Sequence, residues 1–293
     1  MLSPEGETRR EFVGEMTLLA MILAVAGVGI WWSEQLNDDD QDFFRWLTSG
    51  EMSEWFQQQL EKLHPLFHLV LQQLDRPTFA AIRCAHGPEQ WWALSDAVEQ
   101  ADLIELDLRL SQQGEIVLSH GNPAYYAISL EEALHFLTIS NRPNLIKFDF
   151  KDPAVLSPDL AALLDYYQQV FSLPYIFNAS QAVPQDQLIE FVRDFFPGHI
   201  LSPSYKTLHR ETGSVEGVLE RLSTYSGPIM FPAEAKDVIK HLEILQPLLQ
   251  ERQAILHIWS NERLSPGRRR SLQQGLGLQA ARCIWDVPSN RVV

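Results

Sequence analysis

From residue 80 onward, short apolar runs rich in β-branched and aromatic residues alternate with longer stretches of helical period. The runs fall at 81–86, 103–109, 145–151, 174–179, 199–205, 228–234, 254–260 and 281–286. Helical patterns fill the intervals at 89–100, 129–138, 158–171, 184–196, 213–224, 236–250 and 267–276. Parallel neighbours in a sheet need a long crossover, and an intervening helix supplies it. Eight such repeats predict an α/β fold, an irregular parallel (β/α)8 barrel of the TIM type, with any site at the C-terminal ends of its strands. An open doubly wound sheet is the alternative, but no glycine-rich phosphate loop follows the first run. Ser129 with Glu132 makes a capping-box pattern, and Pro184, Pro197 and Pro228 punctuate element boundaries.

Three of these runs carry chemistry. Cys84-Ala85-His86-Gly87 ends the first, Ile104-Glu105-Leu106-Asp107-Leu108 lies in the second, and Lys147-Phe148-Asp149-Phe150-Lys151 in the third. In the last two, ionisable residues sit two apart, so one face of each strand is apolar and the other carries charge. Burying unpaired charge costs several kcal/mol per group, so that face needs a metal, a ligand or counter-charges. Taken alone, Glu105 and Asp107 read equally as an ion-pair ladder with Lys147 and Lys151. The segment Glu115 to His120 follows the second run by only a short turn, so it must return antiparallel. With the turn centred on Gln112-Gln113, His120 falls opposite Glu105.

Composition narrows the class further. A formal net charge of −15 argues against a nucleic-acid partner, which would draw affinity from clustered Lys and Arg. Two cysteines, Cys84 and Cys283, exclude a disulfide scaffold or a Cys-rich zinc site, and buried free thiols are expected. Thr17 to Trp32 is uncharged and apolar, with Arg9-Arg10 before it and Asp38-Asp39-Asp40 after. This asymmetry predicts an uncleaved transmembrane anchor over 1–32 with the main body periplasmic or extracellular. Cleavage near Ala24-Val25-Ala26 would instead release a secreted protein. Residues 33–79 read as a helical, membrane-proximal extension or barrel cap, with Pro65 breaking the apolar periodicity of 52–74. The barrel then occupies 80–293.

A histidine ending the first strand, Glu-x-Asp on the second, a histidine 13 residues beyond that Asp, and Asp-x-Lys on the next barrel strand resembles the phospholipase-C-like phosphodiesterase superfamily. That group includes the glycerophosphodiester phosphodiesterases and the sphingomyelinase D enzymes. The resemblance is closer to the menorin family, a branch of this fold. It extends through Tyr175-Ile176-Phe177-Asn178-Ala179, Leu201-Ser202, Phe231-Pro232, His257-Ile258-Trp259-Ser260 and Trp285-Asp286-Val287-Pro288. The resemblance implies that Glu105, Asp107 and Asp149 bind a divalent cation, and an all-oxygen donor set suits Mg²⁺ or Ca²⁺. It implies His86 and His120 as acid and base and Lys151 as the holder of phosphate charge. Lys147, Asn178 and Trp259 would line the substrate pocket. The implied substrate is a phosphodiester, in a lipid head group or a glycerophosphodiester. The first histidine is followed by Gly87, where the glycerophosphodiesterases usually carry arginine, and their Glu-Asn-Thr motif is missing. A non-catalytic, extracellular binding module is therefore the alternative function.

Overall fold

The computed structural model describes residues 63–76, 78–123, 127–140, 142–262, 264–276 and 282–287. The expected anchor over 1–32, and most of the extension after it, lie outside the described residues. Among the described residues no helix is long and apolar enough to cross a membrane.

The elements run as follows: α1 (Pro65–Gln73), a 3-10 turn at Phe79–Ala81, β1 (Cys84–His86), α2 (Trp91–Gln100), β2 (Leu103–Leu110), β3 (Ile116–Leu118), α3 (Leu130–Thr138), β4 (Leu145–Phe150) and α4 (Pro158–Gln168). They continue with β5 (Ile176–Ala179), α5 (Gln185–Phe195), β6 (Ile200–Ser202), α6 (Tyr205–Thr212), α7 (Val215–Leu222), β7 (Met230–Glu234) and α8 (Ala235–Val238). The last are α9 (Leu242–Glu251), β8 (Ile255–Trp259), α10 (Pro266–Leu276) and β9 (Cys283–Asp286). This is an α/β fold. One sheet has the order β1-β2-β4-β5-β6 and the other β7-β8-β9, every one of these ladders being parallel. The bridge Leu201↔Ile229 leads from β6 toward β7. Between β9 and β1 no backbone ladder forms among the described residues; side chains meet there instead, as described below.

Alternation sorts each parallel strand. Cys84, Leu103, Leu145, Ile176, Ile200, Met230, Ile255 and Ile284, one from each, share a single apolar cluster with Phe67, Val70 and Leu71 of α1. Helix α1 therefore packs against the N-terminal ends of the strands. Pro65 begins it, where a missing N–H costs nothing. Residues one or three steps along, such as Ile104, Phe148, Phe177 and Ile258, belong to the other apolar cluster, which includes helix residues such as Leu94, Leu134 and Leu164. Each such fully buried side chain contributes about 1.5–3 kcal/mol.

The capping box forms as expected, Ser129 and Glu132 satisfying each other's backbone N–H. Three expectations need correcting. The run at 199–205 is a strand only over Ile200–Ser202; Pro203 ends it, and Ser204 caps α6 by accepting from Thr207 N–H. Helix 236–250 is divided into α8, a 3-10 turn at Ile239–His241, and α9. The β2–β3 turn is one residue longer than assumed. Gly114, with φ of +81°, carries the chain round so that Ser111 N–H donates to Glu115 O at 2.8 Å. Leu108 thus pairs with Leu118, and His120 does not fall opposite Glu105.

Candidate active site

Two residues on from the apolar cluster, nearly every parallel strand turns polar on the same face. His86 ends β1, Glu105 and Asp107 lie on β2, Lys147 and Asp149 on β4, Asn178 on β5, Ser202 on β6, His257 on β8 and Asp286 on β9. Lys151 follows β4 directly. The parallel registers His86↔Glu105↔Lys147 and Asp107↔Asp149↔Asn178 bring these groups side by side.

Glu105, Asp107 and Asp149 are all buried, and each offers a carboxylate oxygen within 4.8 Å of the others. The backbone just beyond β1 runs close against one of them. Gly87 has φ of +56°, and a Cβ there would lie 2.9 Å from Asp107 Oδ2. Any side chain at this position must displace that carboxylate and take up a left-handed backbone that glycine adopts freely.

The ion-pair ladder is present as well. Lys147 Nζ donates to Glu105 Oε2 at 2.8 Å and lies 3.3 Å from His257 Nδ1. Lys147 is only 3% exposed, so its ammonium is committed to these partners. Lys151 Nζ sits 3.0 Å from Asp107 Oδ1 and also pairs with Asp149. Asn178 Nδ2 donates to Asp149 Oδ1 at 2.8 Å, and Ser202 Oγ donates to Asn178 Oδ1 at 3.3 Å. Trp259 ends β8 half-buried, in register with Glu234 and Asp286.

The histidines flank this cluster, with ring centroids 6.4 Å apart. His120, whose side chain is 67% exposed, brings Nδ1 to 2.9 Å from Asp107 Oδ2. Its backbone is clamped: the N–H donates to Glu89, and the carbonyl accepts from Arg109 Nε and Nη2 at 3.2 and 3.1 Å. His86 Nδ1 lies 3.2 Å from Asp286 Oδ2 and 3.3 Å from Glu105 Oε2. Asp286 thus spans the gap between the last strand and the first.

These pairings set the charge states. Burial opposes charge on His86, but hydrogen bonds to Asp286 and Glu105 outweigh it and lift its pKa to about 10. Burial would raise Glu105, yet Lys147 and then His86 hold it well below the carboxylate range. Asp149 goes the other way, pushed up to about 6 by burial and by the charge of Glu105 despite both lysines. His257 is fully buried, and burial and the neighbouring Lys147 press it down to about 3, so it is neutral. Among the described residues Asp286, His257 and Ser202 were not singled out by the sequence reading. Their common signal is period: each stands two residues beyond its strand's apolar cluster residue. Asp102 is buried and gripped by Arg76 and Arg142. It ties the segment after α1 to the start of β2, away from the site.

Residues 78–289 match the Menorin N-terminal domain family. The chain belongs to that family. No curated protein sequence matches it. Among solved structures, a glycerophosphodiester phosphodiesterase from Thermotoga maritima aligns at 16% identity and a TM-score of 0.46, covering 70% of this chain and 94% of the other. A glycerophosphoryl diester phosphodiesterase from Parabacteroides distasonis aligns at 15% identity and 0.48, covering 78% and 90%. A glycerophosphodiester phosphodiesterase from Agrobacterium tumefaciens aligns at 14% and 0.45, covering 70% and 94%. In this menorin domain the polar groups all lie on one face of the parallel strands, where buried carboxylates could hold a hard cation beside two imidazoles.

Proposed function

We propose that this menorin domain is a closed, irregular (β/α)8 barrel that cleaves phosphodiesters, either in a lipid head group or in a glycerophosphodiester. The observation that carries the reading is the trio Glu105, Asp107 and Asp149, buried and within 4.8 Å of one another, with two imidazoles and Lys151 at its edge. The trio fits a divalent ion by its chemistry. Its donors are all oxygens, as Mg²⁺ and Ca²⁺ require, and three buried carboxylates share only two lysines. Bound there, the ion would supply neutralisation of the phosphate's charge. Lys151 adds a second positive charge from the chain itself. An attacking oxygen, from water or from a hydroxyl of the substrate, gives its proton to one histidine as its bond to phosphorus forms. The other histidine protonates the leaving oxygen as the P–O bond breaks, so protons balance over the step. Asn178, held by Ser202, orients Asp149, and Lys147 keeps Glu105 ionised and in place. Trp259 would line the rim on the opposite side.

One observation favours the second reading, a non-catalytic binding module. Each of the three carboxylates already has a lysine partner, so the cluster can balance much of its own charge. A panel of phosphodiesters assayed with added Mg²⁺ or Ca²⁺, on the parent and on His86→Ala and His120→Ala, separates the two. Metal-dependent turnover lost in both variants supports the enzyme. A folded parent inactive throughout, or turnover indifferent to both substitutions, supports the module. We place the domain on the exported side of a membrane, tethered through the apolar segment before Trp32. An activity reporter fused after residue 293 that works only in the cytoplasm would refute that placement.

A further inference from the structure

Below the mouth, five buried or half-buried side chains close a ring. Lys147 Nζ reaches Glu105 Oε2 at 2.8 Å and His257 Nδ1 at 3.3 Å; His257 Nε2 lies 3.7 Å from Asp286 Oδ2; His86 Nδ1 lies 3.2 Å from Asp286 Oδ2 and 3.3 Å from Glu105 Oε2. The directions of donation are forced. A lysine ammonium only donates, so His257 Nδ1 must accept and its proton sits on Nε2, aimed at Asp286. An ionised carboxylate only accepts, so His86 Nδ1 must carry a proton whether the ring is neutral or charged. That leaves Nε2 as the nitrogen presented to the mouth, where the His86 side chain remains 28% exposed and faces His120. Asp286 is 1% exposed and is supplied by the last strand, where among the described residues no backbone ladder joins β9 to β1.

We infer that Asp286 is a positioning residue for His86: it holds the Nδ1–H and so aims Nε2 at the reacting phosphodiester. The inference rests on the enzymatic reading for its consequence but not for its geometry. Glu105 also touches Nδ1, yet it answers to Lys147 and belongs to the carboxylate trio, so the task of orienting the imidazole falls to Asp286. His257 lies below Asp286, its Nε2 3.7 Å from Oδ2 and beyond hydrogen-bond reach, with its tautomer set by Lys147.

The test uses the full chain with ¹⁵N-labelled histidine and three variants: Asp286→Ala, Asp286→Asn and His86→Ala. His86→Ala identifies the hydrogen-bonded Nδ1–H resonance of His86 by its loss. Asp286→Ala is expected to abolish or displace that resonance. It should also lower kcat by about 10²–10⁴-fold, the usual contribution of a positioned acid or base, with KM within about 3-fold. Asp286→Asn keeps an accepting oxygen and should recover part of both; it also stands in if the alanine variant does not fold. An Nδ1–H resonance unchanged in both variants overturns the inference. So does a fall in turnover no larger than the fall in folded protein. If the parent turns over no phosphodiester, the functional reading fails by itself, and the resonance still decides whether Asp286 holds His86.

Discussion

Removing the ammonium of Lys147 is the most direct probe of how the polar face of the parallel strands tolerates its charge. In Lys147→Met the side chain keeps its bulk, but Glu105 loses a partner 2.8 Å away and His257 loses its donor at 3.3 Å. Glu105 is 2% exposed, so water cannot take over. Breaking a buried ion pair from one side costs about 3–5 kcal/mol. His86, 3.3 Å from the same oxygen, remains as a partner and places the expected loss toward the lower end. For a domain of this size that corresponds to a fall in Tm of about 6–12 °C. Replacing both partners, Lys147→Met with Glu105→Gln, removes the stranded charge and should recover about 2 kcal/mol relative to the sum of the single losses. The assay is urea unfolding followed by circular dichroism, in EDTA so that no cation contributes. A single variant within about 1 kcal/mol of the parent, or a double variant whose loss equals the sum, would refute the reasoning.

Four further outcomes are expected. Divalent ion at about 100 times its Kd should stabilise the parent by about 2.7 kcal/mol in thermal unfolding, and Asp149→Asn should abolish the gain; equal gains in both would remove Asp149 from the ion's ligands. Gly87→Ala should cost about 1–3 kcal/mol through its positive φ and press on Asp107 Oδ2, so weakened ion binding should accompany lowered stability, and wild-type values of both would count against the close approach. His199, lowered to about 4 by burial, accepts from Tyr175 N–H at 2.9 Å and must stay neutral when folded. The unfolded chain therefore binds the proton first, so up to about 3 kcal/mol of stability is present above pH 6.5 and lost as pH falls toward 4, a slope His199→Asn should flatten. Asp102→Ala should cost about 1–3 kcal/mol by removing the hydrogen bonds of Arg76 and Arg142, which keep access to water, read from the urea midpoint, without altering ion binding at the mouth.

Much of this was legible because strands have period two. Glu105, Asp107, Lys147, Asp149 and Lys151 each alternate with apolar residues, and that pattern alone predicted a charged inner face. The repeat of strand and helix gave the parallel order. What escaped was local. The β2–β3 turn looked like a two-residue loop at Gln112-Gln113, but Gly114 offered a left-handed residue and the chain used it, shifting His120 from Glu105 to Asp107. Helix α6 was hidden because Tyr205 extends an apolar run; Pro203 and the Ser204 cap were the signals against a strand there.

Asp286 and His257 escaped for a different reason: neither has a charged residue two positions away in its own strand, and one polar group shows no period. The register supplies what the single strand cannot. Stepping two residues on from each member of the apolar cluster gives His86, Glu105, Lys147, Asn178, Ser202, Pro232, His257 and Asp286. Seven of these eight are polar, and a core position is rarely polar without a partner. A layer built this way is stable only if its members satisfy one another, which the ring through Lys147 largely does. Its charge is settled pairwise, with Glu105 ionised, His257 neutral and His86 carrying a proton between two carboxylates. One step higher, Asp149 is pushed up to about 6, first by burial and then by the charge of Glu105, with two lysines already nearby. That is where an added positive charge, from an ion or from a substrate's cation, gains most.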